Sequence, residues 1–325
     1  MRRREFITLL GGAAAWPFAA RAQPSGKTYR IGFLGMTSYA DRRRDVDALR
    51  TGLRQFGYEE GRNIVIDYRW AEGRYDRLPG LAADLVKLNV DVLVTHGTPG
   101  AQAAKGATSI IPIVVAAVAD PIARGLAISL ARPGGNLTGL TFFNEELLAK
   151  RVEFIKEAIP TLTRVAGLIN PANPGNLGML PGVQRAASAL GVELVPIEAN
   201  TQDEISAAVA TVTARQAAGL VVFEDPLFIA NARQTAEFAL ENGFPMIGFK
   251  PHAEAGALMD YGVDFADLYS RSAAFVDKIL KGTPPANLPI ERAVKFELVV
   301  NLKTAKRLGI ELPTSVLIRA NEVIE

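Results

Sequence analysis

Polar side chains that can bind a small charged molecule follow the apolar runs of this 325-residue sequence. In the segment IVVAAVADPIARG, residues 113–125, seven apolar residues lead directly into Asp120 and Pro121. Other apolar runs end in hydroxyl, amide or carboxylate side chains in the same way. The candidate ligand-binding residues at these ends are Thr37, Ser38, Thr98, Pro99, Asp120, Thr141, Asn170, Asp225 and Tyr261.

These residue types suit the recognition of a small zwitterion or carboxylate. Threonine and serine hydroxyls, together with free N–H groups at helix N-termini, can hold an anionic group. Asp120 and Asp225 can hold an ammonium group or accept from hydroxyls, and Tyr261 can form part of an aromatic wall. A polar residue before a proline and a helix is also a common N-cap, so each candidate has a structural alternative.

The apolar runs alternate with helical patterns, and this alternation predicts the elements that position the candidates. Five strands joined by helices in each half favour an α/β fold of two doubly wound parallel sheets. Ligands bind at the carboxyl ends of such strands, so the candidates should meet in a cleft. The predicted strands are 29–36, 63–70, 90–96, 113–119 and 136–143, then 163–170, 192–200, 218–225, 244–249 and 256–263.

The first 22 residues have the composition of an export signal. They have a basic start, an apolar middle and a small-residue end, which predicts cleavage between Ala22 and Gln23. The segment RREFI, residues 3–7, resembles the twin-arginine export motif. The apolar middle is shorter than the roughly 20 residues of a membrane span, which argues against an uncleaved anchor. We therefore expect a periplasmic mature protein.

Composition excludes several kinds of site. There is no cysteine, which excludes disulfides, thiol catalysis and cysteine-ligated zinc. There are two histidines, which exclude a histidine-rich metal site; we expect His96 to be a satisfied loop residue and His252 to lie at the surface. No dinucleotide fingerprint, phosphate-binding loop or nucleophile elbow is present, so we expect no cofactor, no metal and no enzymatic activity.

The basic character of the whole chain comes from its first residues. Residues 1–22 hold four arginines and one glutamate, so the remainder has 32 basic and 33 acidic residues, a net charge of −1. This balance gives no support to a nucleic-acid partner. The run Arg42-Arg43-Arg44 lies among aspartates, and this pattern is typical of a solvated helix start.

Three segments resemble the ABC transporter substrate-binding proteins of the tryptophan/tyrosine-binding type. The resemblance covers nearly all of residues 29–318, and its most specific parts are 98–141 and 301–309. The three segments are GRNIVIDYRWAEG, THGTPGAQAAKGATSIIPIVVAAVADPIARGLAISLARPGGNLTGLT and KFELVVNLKTAKRLGIELPTSVL.

The resemblance implies a type I periplasmic-binding-protein fold, in which three crossovers form a hinge and a ligand closes between two lobes. It places lobe 1 at 28–141 plus 261–283 and lobe 2 at 142–260 plus 284–325. By position, the ligand-facing turns of the two lobes and the first crossover are matched by Thr98-Pro99, Asp120, Thr141, Asn170 and Asp225.

The chain departs from the aromatic amino-acid binders of that family at two turns. These are Glu224-Asp225-Pro226 and Met259-Asp260-Tyr261-Gly262, whose carboxylates and tyrosine suit a more polar or cationic ligand.

The resulting expectation is a monomeric, exported solute-binding protein that takes an amino acid or small carboxylate to a membrane ABC permease. Three alternatives remain open at this stage. One is a periplasmic ligand sensor module for a kinase or chemoreceptor, and another is an exported hydrolase or racemase on the same scaffold. The third is a repressor of the lac type, which needs a helix-turn-helix where this chain has an export signal.

Overall fold

The computed structural model describes residues 27–142 and 144–325. The predicted signal peptide, 1–22, and its cleavage site between Ala22 and Gln23 lie outside these residues and stay predictions. The strands are β1 Tyr29–Gly35, β2 Ile64–Trp70, β3 Val92–Thr95, β4 Ile113–Ala119, β5 Leu137–Phe142, β6 Arg164–Ile169, β7 Glu193–Glu198, β8 Leu220–Val222, β9 Met246–Gly248, β10 Met259–Val263, β11 Glu291–Arg292, β12 Phe296–Asn301 and β13 Glu322–Ile324.

Helices separate most of these strands, and short 3-10 turns lie at Tyr75–Arg77 and Pro285–Asn287. The helices are α1 Tyr39–Gln55, α2 Leu78–Lys87, α3 Gly97–Ala107, α4 Asn144–Ala158, α5 Pro174–Ala189, α6 Gln202–Ala214, α7 Pro226–Ala230, α8 Ala232–Glu241, α9 Lys250–Glu254, α10 Phe265–Leu280, α11 Leu302–Leu308 and α12 Thr314–Leu317. In the part of the chain that is described, no helix has the length and apolar character needed to cross a membrane.

The strands form two separate sheets. The six-stranded sheet has the order β11-β5-β4-β3-β1-β2, and all of its pairs are parallel. The seven-stranded sheet has the order β13-β12-β10-β9-β8-β6-β7 and is parallel except where β12 runs against β10. All seven residues of β4 are buried, as expected for a strand covered on both faces by helices. The predicted α/β fold of two doubly wound sheets is therefore confirmed.

The chain crosses between the two sheets three times. It passes from β5 to α4, from β10 to α10, and from β11 to β12. Helix α10 packs on the six-stranded sheet, where Leu268 and Phe275 join Phe33 and Leu49 in one apolar cluster. We call the six-stranded sheet with its helices the first lobe and the seven-stranded sheet with its helices the second lobe.

Sheet membership differs from the predicted lobe boundaries at two crossovers. Strand β10 lies in the seven-stranded sheet, although the sequence analysis assigns 261–283 to lobe 1. Strand β11 lies in the six-stranded sheet, although the same analysis assigns 284–325 to lobe 2. We propose that the lobes follow the sheets, with 28–142 and 264–293 in the first lobe. Crossovers are short extended segments, so no turn signal in the sequence marks where the chain changes sheet.

Candidate functional site

The carboxyl ends of the two sheets enclose a cavity between the lobes. We call it the interlobe cavity. Its apolar lining includes Phe142, Met179 and Phe265. Its polar lining includes Arg42, His96, Thr98, Glu224, Asp225 and Tyr269.

Asp225 lies at this cavity with its carboxylate already fully engaged. It is completely buried and caps α7, where the backbone N–H of Leu227 donates to its Oδ1 at 2.9 Å. Asn170 donates to the same oxygen at 3.1 Å, and Asn173 donates to Oδ2 at 2.8 Å. The hydroxyl of Tyr75 also donates to Oδ1, at 2.7 Å. Burial raises the pKa of Asp225, and these hydrogen bonds offset part of the rise.

The bond from Tyr75 to Asp225 joins the two lobes directly. Tyr75 follows β2 in the first lobe, whereas Asp225 follows β8 in the second. The lobes also meet at Thr98 and Gly175, where a Cβ placed on the glycine would lie 3.0 Å from the threonine Oγ1. These contacts need both lobes in place, so the structure is in a closed conformation.

Three other side chains at the cavity carry buried polar atoms without a hydrogen-bond partner. They are Arg42 at Nε and Tyr269 at its hydroxyl in the first lobe, and Glu224 in the second, whose carboxylate has an ion pair with Arg151 but no hydrogen bond. Buried polar groups that lack a partner cost free energy, which a ligand supplying the missing bonds would recover. The first lobe therefore offers donors and the second lobe offers acceptors to the same space.

Arg42 is buried, so the predicted solvated helix start is wrong at this position. Its side chain is 3% exposed, and its Nη1 donates to Asp45 at 3.0 Å. Its guanidinium also lies 5.7 Å from the ring centroid of Phe265. Arg42 precedes Val46 and Leu49 at helical spacing, on the face of α1 that packs inward. That spacing is the sequence signal that could have identified it.

Glu224 shares a buried ion pair with Arg151 of α4. The Arg151 Nη2 lies 3.1 Å from a Glu224 carboxylate oxygen, and both side chains are buried. Arg151 also donates from Nε to the Tyr261 carbonyl and from Nη1 to the Val222 carbonyl, each at 2.7 Å. Burial raises the pKa of Glu224 to about 7, because the attraction of Arg151 compensates only part of the desolvation.

The raised pKa of Glu224 predicts a specific dependence of stability on pH. The folded protein holds this proton up to about pH 7, while the unfolded chain releases it near 4.5. The stabilising contribution is therefore complete below pH 4.5 and is lost as the pH rises through 7. Relative to Glu224→Gln, which stays neutral, the free energy of unfolding of the wild type should fall across this interval. Urea titrations of both proteins at several pH values measure it, and parallel pH profiles would contradict it.

Both histidines are buried, so the surface position predicted for His252 is wrong. His252 is completely buried, and its Nδ1 accepts from the Phe249 backbone N–H at 3.2 Å. His96 lines the cavity, and its Nε2 accepts from the Met36 backbone N–H at 3.3 Å. Burial lowers the pKa of both, well below 6.5 for His96 and to about 3 for His252, so both are neutral near pH 7.

Several predicted site residues serve the local fold instead of facing the cavity. The Ser38 hydroxyl caps α1 in a capping box with Asp41. The Asp120 carboxylate accepts from the Ala123 backbone N–H at 3.0 Å. The Thr141 hydroxyl donates to the Val118 carbonyl at 2.7 Å and so links β5 to β4. Ser38 is therefore an N-cap, which is the structural alternative given above, and the Asp120 carboxylate makes a similar contact to the backbone of its own turn.

The remaining predicted residues divide between the cavity and its surroundings. Thr98 lines the interlobe cavity, and Asn170 reaches it through its bond to Asp225. Thr37 and Pro99 line separate outer crevices between the lobes. The Tyr261 ring packs on Phe154 and Phe296 in the second lobe, with centroids 5.0 and 6.2 Å away. Ligand contact by any of these residues stays a prediction.

Sequence reasoning missed Arg42, Tyr75 and Tyr269 as site residues. The two tyrosines come from a 3-10 turn and from the middle of α10, so no strand-end pattern points to them. Among residues 27–142 and 144–325, no group of three or more acidic or histidine side chains has an arrangement that would hold a metal ion.

Comparisons with known proteins agree with this architecture. The sequence profile described as ABC transporter substrate binding protein matches residues 31–324. A tyrosine-binding protein of Clostridioides difficile strain R20291 is 27% identical over 260 residues, which span 80% of this chain and 74% of that protein.

Two solved structures share the fold along most of the chain. A conserved domain protein from Vibrio cholerae is 30% identical, with a TM-score of 0.86 over 91% of this chain and 100% of that one. An ABC domain from Streptococcus pneumoniae in complex with L-Trp is 26% identical, with a TM-score of 0.85 over 92% and 100%. These likenesses confirm the predicted periplasmic-binding-protein fold. Because the profile covers almost the whole described part, the chain belongs to the family of ABC transporter substrate-binding proteins.

Proposed function

We propose that this protein captures an amino acid or small carboxylate between its two lobes and delivers it, chemically unchanged, to an ABC permease. The observation that carries the proposal is the interlobe cavity, whose wall includes donors of one lobe without a hydrogen-bond partner. The other lobe contributes the Glu224 carboxylate, which has an ion pair with Arg151 but no hydrogen bond. A zwitterion supplies both of the missing partners. The relatives described as binding tyrosine and complexed with L-Trp support a ligand of this class.

The arrangement of charges suggests how such a ligand lies. Its anionic group is placed at Arg42 and the Tyr269 hydroxyl, and its ammonium group at Glu224. The rings of Phe142 and Phe265 provide an apolar wall for the side chain of the ligand. Asp225 is not assigned the ammonium group, because four donors already occupy its oxygens.

Closure of the lobes adds contacts that hold the ligand. In an open form the ligand contacts one lobe only, and contacts with the second lobe form when the hinge closes. This difference in affinity shifts the population toward the closed form. Delivery requires release, so we expect a dissociation constant in the micromolar range, which corresponds to a binding free energy of about −8 kcal/mol.

Calorimetry on the mature protein tests this proposal. The probes are L-tyrosine and L-tryptophan, together with tyramine, which lacks the carboxylate, and 3-(4-hydroxyphenyl)propionate, which lacks the ammonium group. We expect a zwitterion to bind more tightly than either truncated analogue. Binding of none of these probes, or equal binding of all of them, would refute an aromatic zwitterion as the ligand.

Replacing Tyr75 with phenylalanine should weaken closure. The variant removes the hydroxyl that joins the lobes at 2.7 Å and leaves the ring in place. A hydrogen bond to a charged acceptor contributes about 1.5–3 kcal/mol, so we expect ligand affinity to fall by about 10-fold or more. Small-angle scattering of the unliganded variant should show a larger radius of gyration than the wild type.

A matched control for this variant is Tyr29→Phe. Tyr29 lies at the start of β1, and its ring packs edge-on against Tyr58, with centroids 6.1 Å apart, away from the cavity. It should behave like the wild type. An unchanged radius and affinity for Tyr75→Phe would mean that the interlobe bond does not hold the closed form.

We also propose that the protein acts in the periplasm as a monomer. The basic, apolar and small-residue pattern of residues 1–22 supports export, and the family supports a membrane permease as the partner. Intact mass of the protein from a periplasmic fraction tests the cleavage predicted between Ala22 and Gln23. Crosslinking to the permease and ATPase tests the partner, and capture of a sensor kinase instead would favour the sensor alternative.

A further inference from the structure

A second chamber, separate from the interlobe cavity, lies beside the crossover from β10 to α10. It has a volume of about 240 Å³ and is lined by the start of α1 from the first lobe and by α9 from the second. Arg42, Ile229 and Phe265 line both spaces and form the partition between them. We call this space the hinge-side chamber.

The lining of this chamber has an excess of negative charge. Its cationic side chains are Arg42, Arg44 and Lys250. Arg42 is paired with the lining Asp45, and Lys250 is paired with Glu322 outside the chamber at 2.6 Å and with the lining Glu297 at 3.6 Å. Lys295, outside the lining, is paired with Asp264 at 2.6 Å and with Glu297 at 3.6 Å. The lining carboxylates are Asp41, Asp45, Glu254, Asp260, Asp264 and Glu297.

One of these carboxylates is buried without a partner. Asp260 is 1% exposed, and its Oδ1 has no hydrogen-bond partner. The nearby guanidinium of Arg151 is already bonded to two carbonyl groups and paired with Glu224. Burial raises the pKa of Asp260 well above its ordinary value, Arg151 opposes the rise, and Glu224 adds to it. Asp260 is therefore the one lining carboxylate that combines deep burial with an unsatisfied oxygen.

Gly262 keeps the approach to this carboxylate open. It stands two residues after Asp260 on β10, so both positions face the same side of the sheet. A Cβ placed on Gly262 would lie 3.6 Å from the Asp260 Oδ1 and 3.4 Å from the Arg151 Nη2. The absence of a side chain at position 262 therefore leaves this side of the carboxylate uncovered by β10.

We propose that the hinge-side chamber is a second binding site, in which Asp260 receives a protonated amine or guanidinium group. An N–H donor satisfies the orphan oxygen, and its positive charge favours the ionised form of Asp260. The cationic group has two potential sources. It is either the far end of an elongated cargo whose zwitterionic end occupies the interlobe cavity, or a separate small organic cation.

Calorimetry with four probes tests the site and distinguishes its sources. The probes are 1,4-diaminobutane, tetramethylammonium as a cation without N–H donors, L-lysine, and L-norleucine as its counterpart without the terminal amine. We expect 1,4-diaminobutane to bind at least 10-fold more tightly than tetramethylammonium, or L-lysine to bind at least 10-fold more tightly than L-norleucine. Binding of L-lysine without 1,4-diaminobutane identifies an elongated cargo, and binding of 1,4-diaminobutane in the presence of saturating L-tyrosine identifies a separate cation.

Two variants assign the binding to the chamber. Asp260→Asn removes the charge with little change in shape, and Gly262→Val keeps the charge but fills the approach. Each variant should weaken the binding of the amine probe by at least 10-fold. The matched control is Glu241→Gln, an exposed carboxylate at the end of α8 that does not line the chamber, which should leave binding unchanged.

The proposal is overturned if the wild type binds neither amine, or if Asp260→Asn binds both as the wild type does. Circular dichroism and urea titration confirm that each variant is folded before binding is measured. L-tyrosine, titrated into the same samples, reports on the interlobe cavity separately. In the wild type, amine binding without tyrosine binding would refute the proposed function alone, and tyrosine binding without amine binding would refute the second site alone.

Discussion

Replacing Arg151 with methionine should destabilise the folded protein by about 3–5 kcal/mol, the largest effect on stability that we predict. The side chain is completely buried, and its guanidinium lies 4.3 Å from the ring centroid of Phe249. Its removal leaves the carbonyl groups of Tyr261 and Val222 without their donors. It also leaves Glu224 without its compensating charge in a buried environment. Urea unfolding of the wild type and the variant measures the difference.

Two further variants show whether charge is the cause. Adding Glu224→Gln to Arg151→Met removes the uncompensated carboxylate, so the double variant should regain part of the lost stability. The neighbouring Lys150→Met is the matched control, because Lys150 is 36% exposed and pairs with Glu153 at the surface of α4. Surface pairs of this kind contribute about 0–1 kcal/mol. A loss in Arg151→Met no larger than in this control would contradict the role that we give the buried guanidinium.

Replacing Arg42 with glutamine should weaken L-tyrosine binding by at least 30-fold, the largest effect on affinity that we predict. Removing one partner of a buried, hydrogen-bonded charge pair costs about 2–5 kcal/mol. The Arg42 Nε has no partner in the protein and lies in the wall of the interlobe cavity. In our proposal it meets the ligand carboxylate. Calorimetry at a temperature where both proteins are folded measures the loss.

A ligand without a carboxylate shows whether this loss arises from that contact. Tyramine should bind the wild type and Arg42→Gln with similar affinity, because it lacks the group that Arg42 would hold. The matched protein control is Arg43→Gln, since Arg43 is 74% exposed on the same turn of α1. The Arg42→Gln variant also leaves Asp45 without its ion-pair partner, which can lower the stability of the protein. Adding Asp45→Asn removes the unpaired carboxylate, so a loss of affinity that persists in the double variant does not arise from lost stability. Equal losses for tyrosine and tyramine would refute the assignment.

The periodic patterns of the sequence predicted the sheets more accurately than the site. Strand β4 is a continuous apolar run, and burial on both faces requires such a run. The sequence therefore predicts both that this segment is a strand and where it lies in the chain. The helical spacing of Leu49, Leu53 and Phe56 predicts one apolar face of α1, and the first two are buried. Phe56 is 41% exposed because it is the C-cap, where the chain leaves the helical path.

Strand-end chemistry predicted the cleft but only part of its lining. Thr98 and Asp225 do lie at the interlobe cavity. Ser38 and Asp120 follow the same pattern, yet their side chains bond to nearby backbone N–H groups. A short polar side chain at a strand end can satisfy either the backbone or a ligand. Asp225 has both roles, since it caps α7 through the Leu227 backbone N–H and also lines the cavity. The residue type at a strand end therefore does not determine which role it has.

The sequence by itself determined the alternation of strands and helices, the class of fold and the polar character of the edge where the lobes meet. Only the tertiary structure decided which charges are buried and which are paired. Arg42 and Arg43 are adjacent in sequence, but helical geometry turns one toward the cavity and the other toward solvent. Glu224 and Asp260 lie far apart in the chain, but both carboxylates interact electrostatically with the guanidinium of Arg151. Such pairing depends on distances between elements brought together by folding, and no periodicity within one element encodes them.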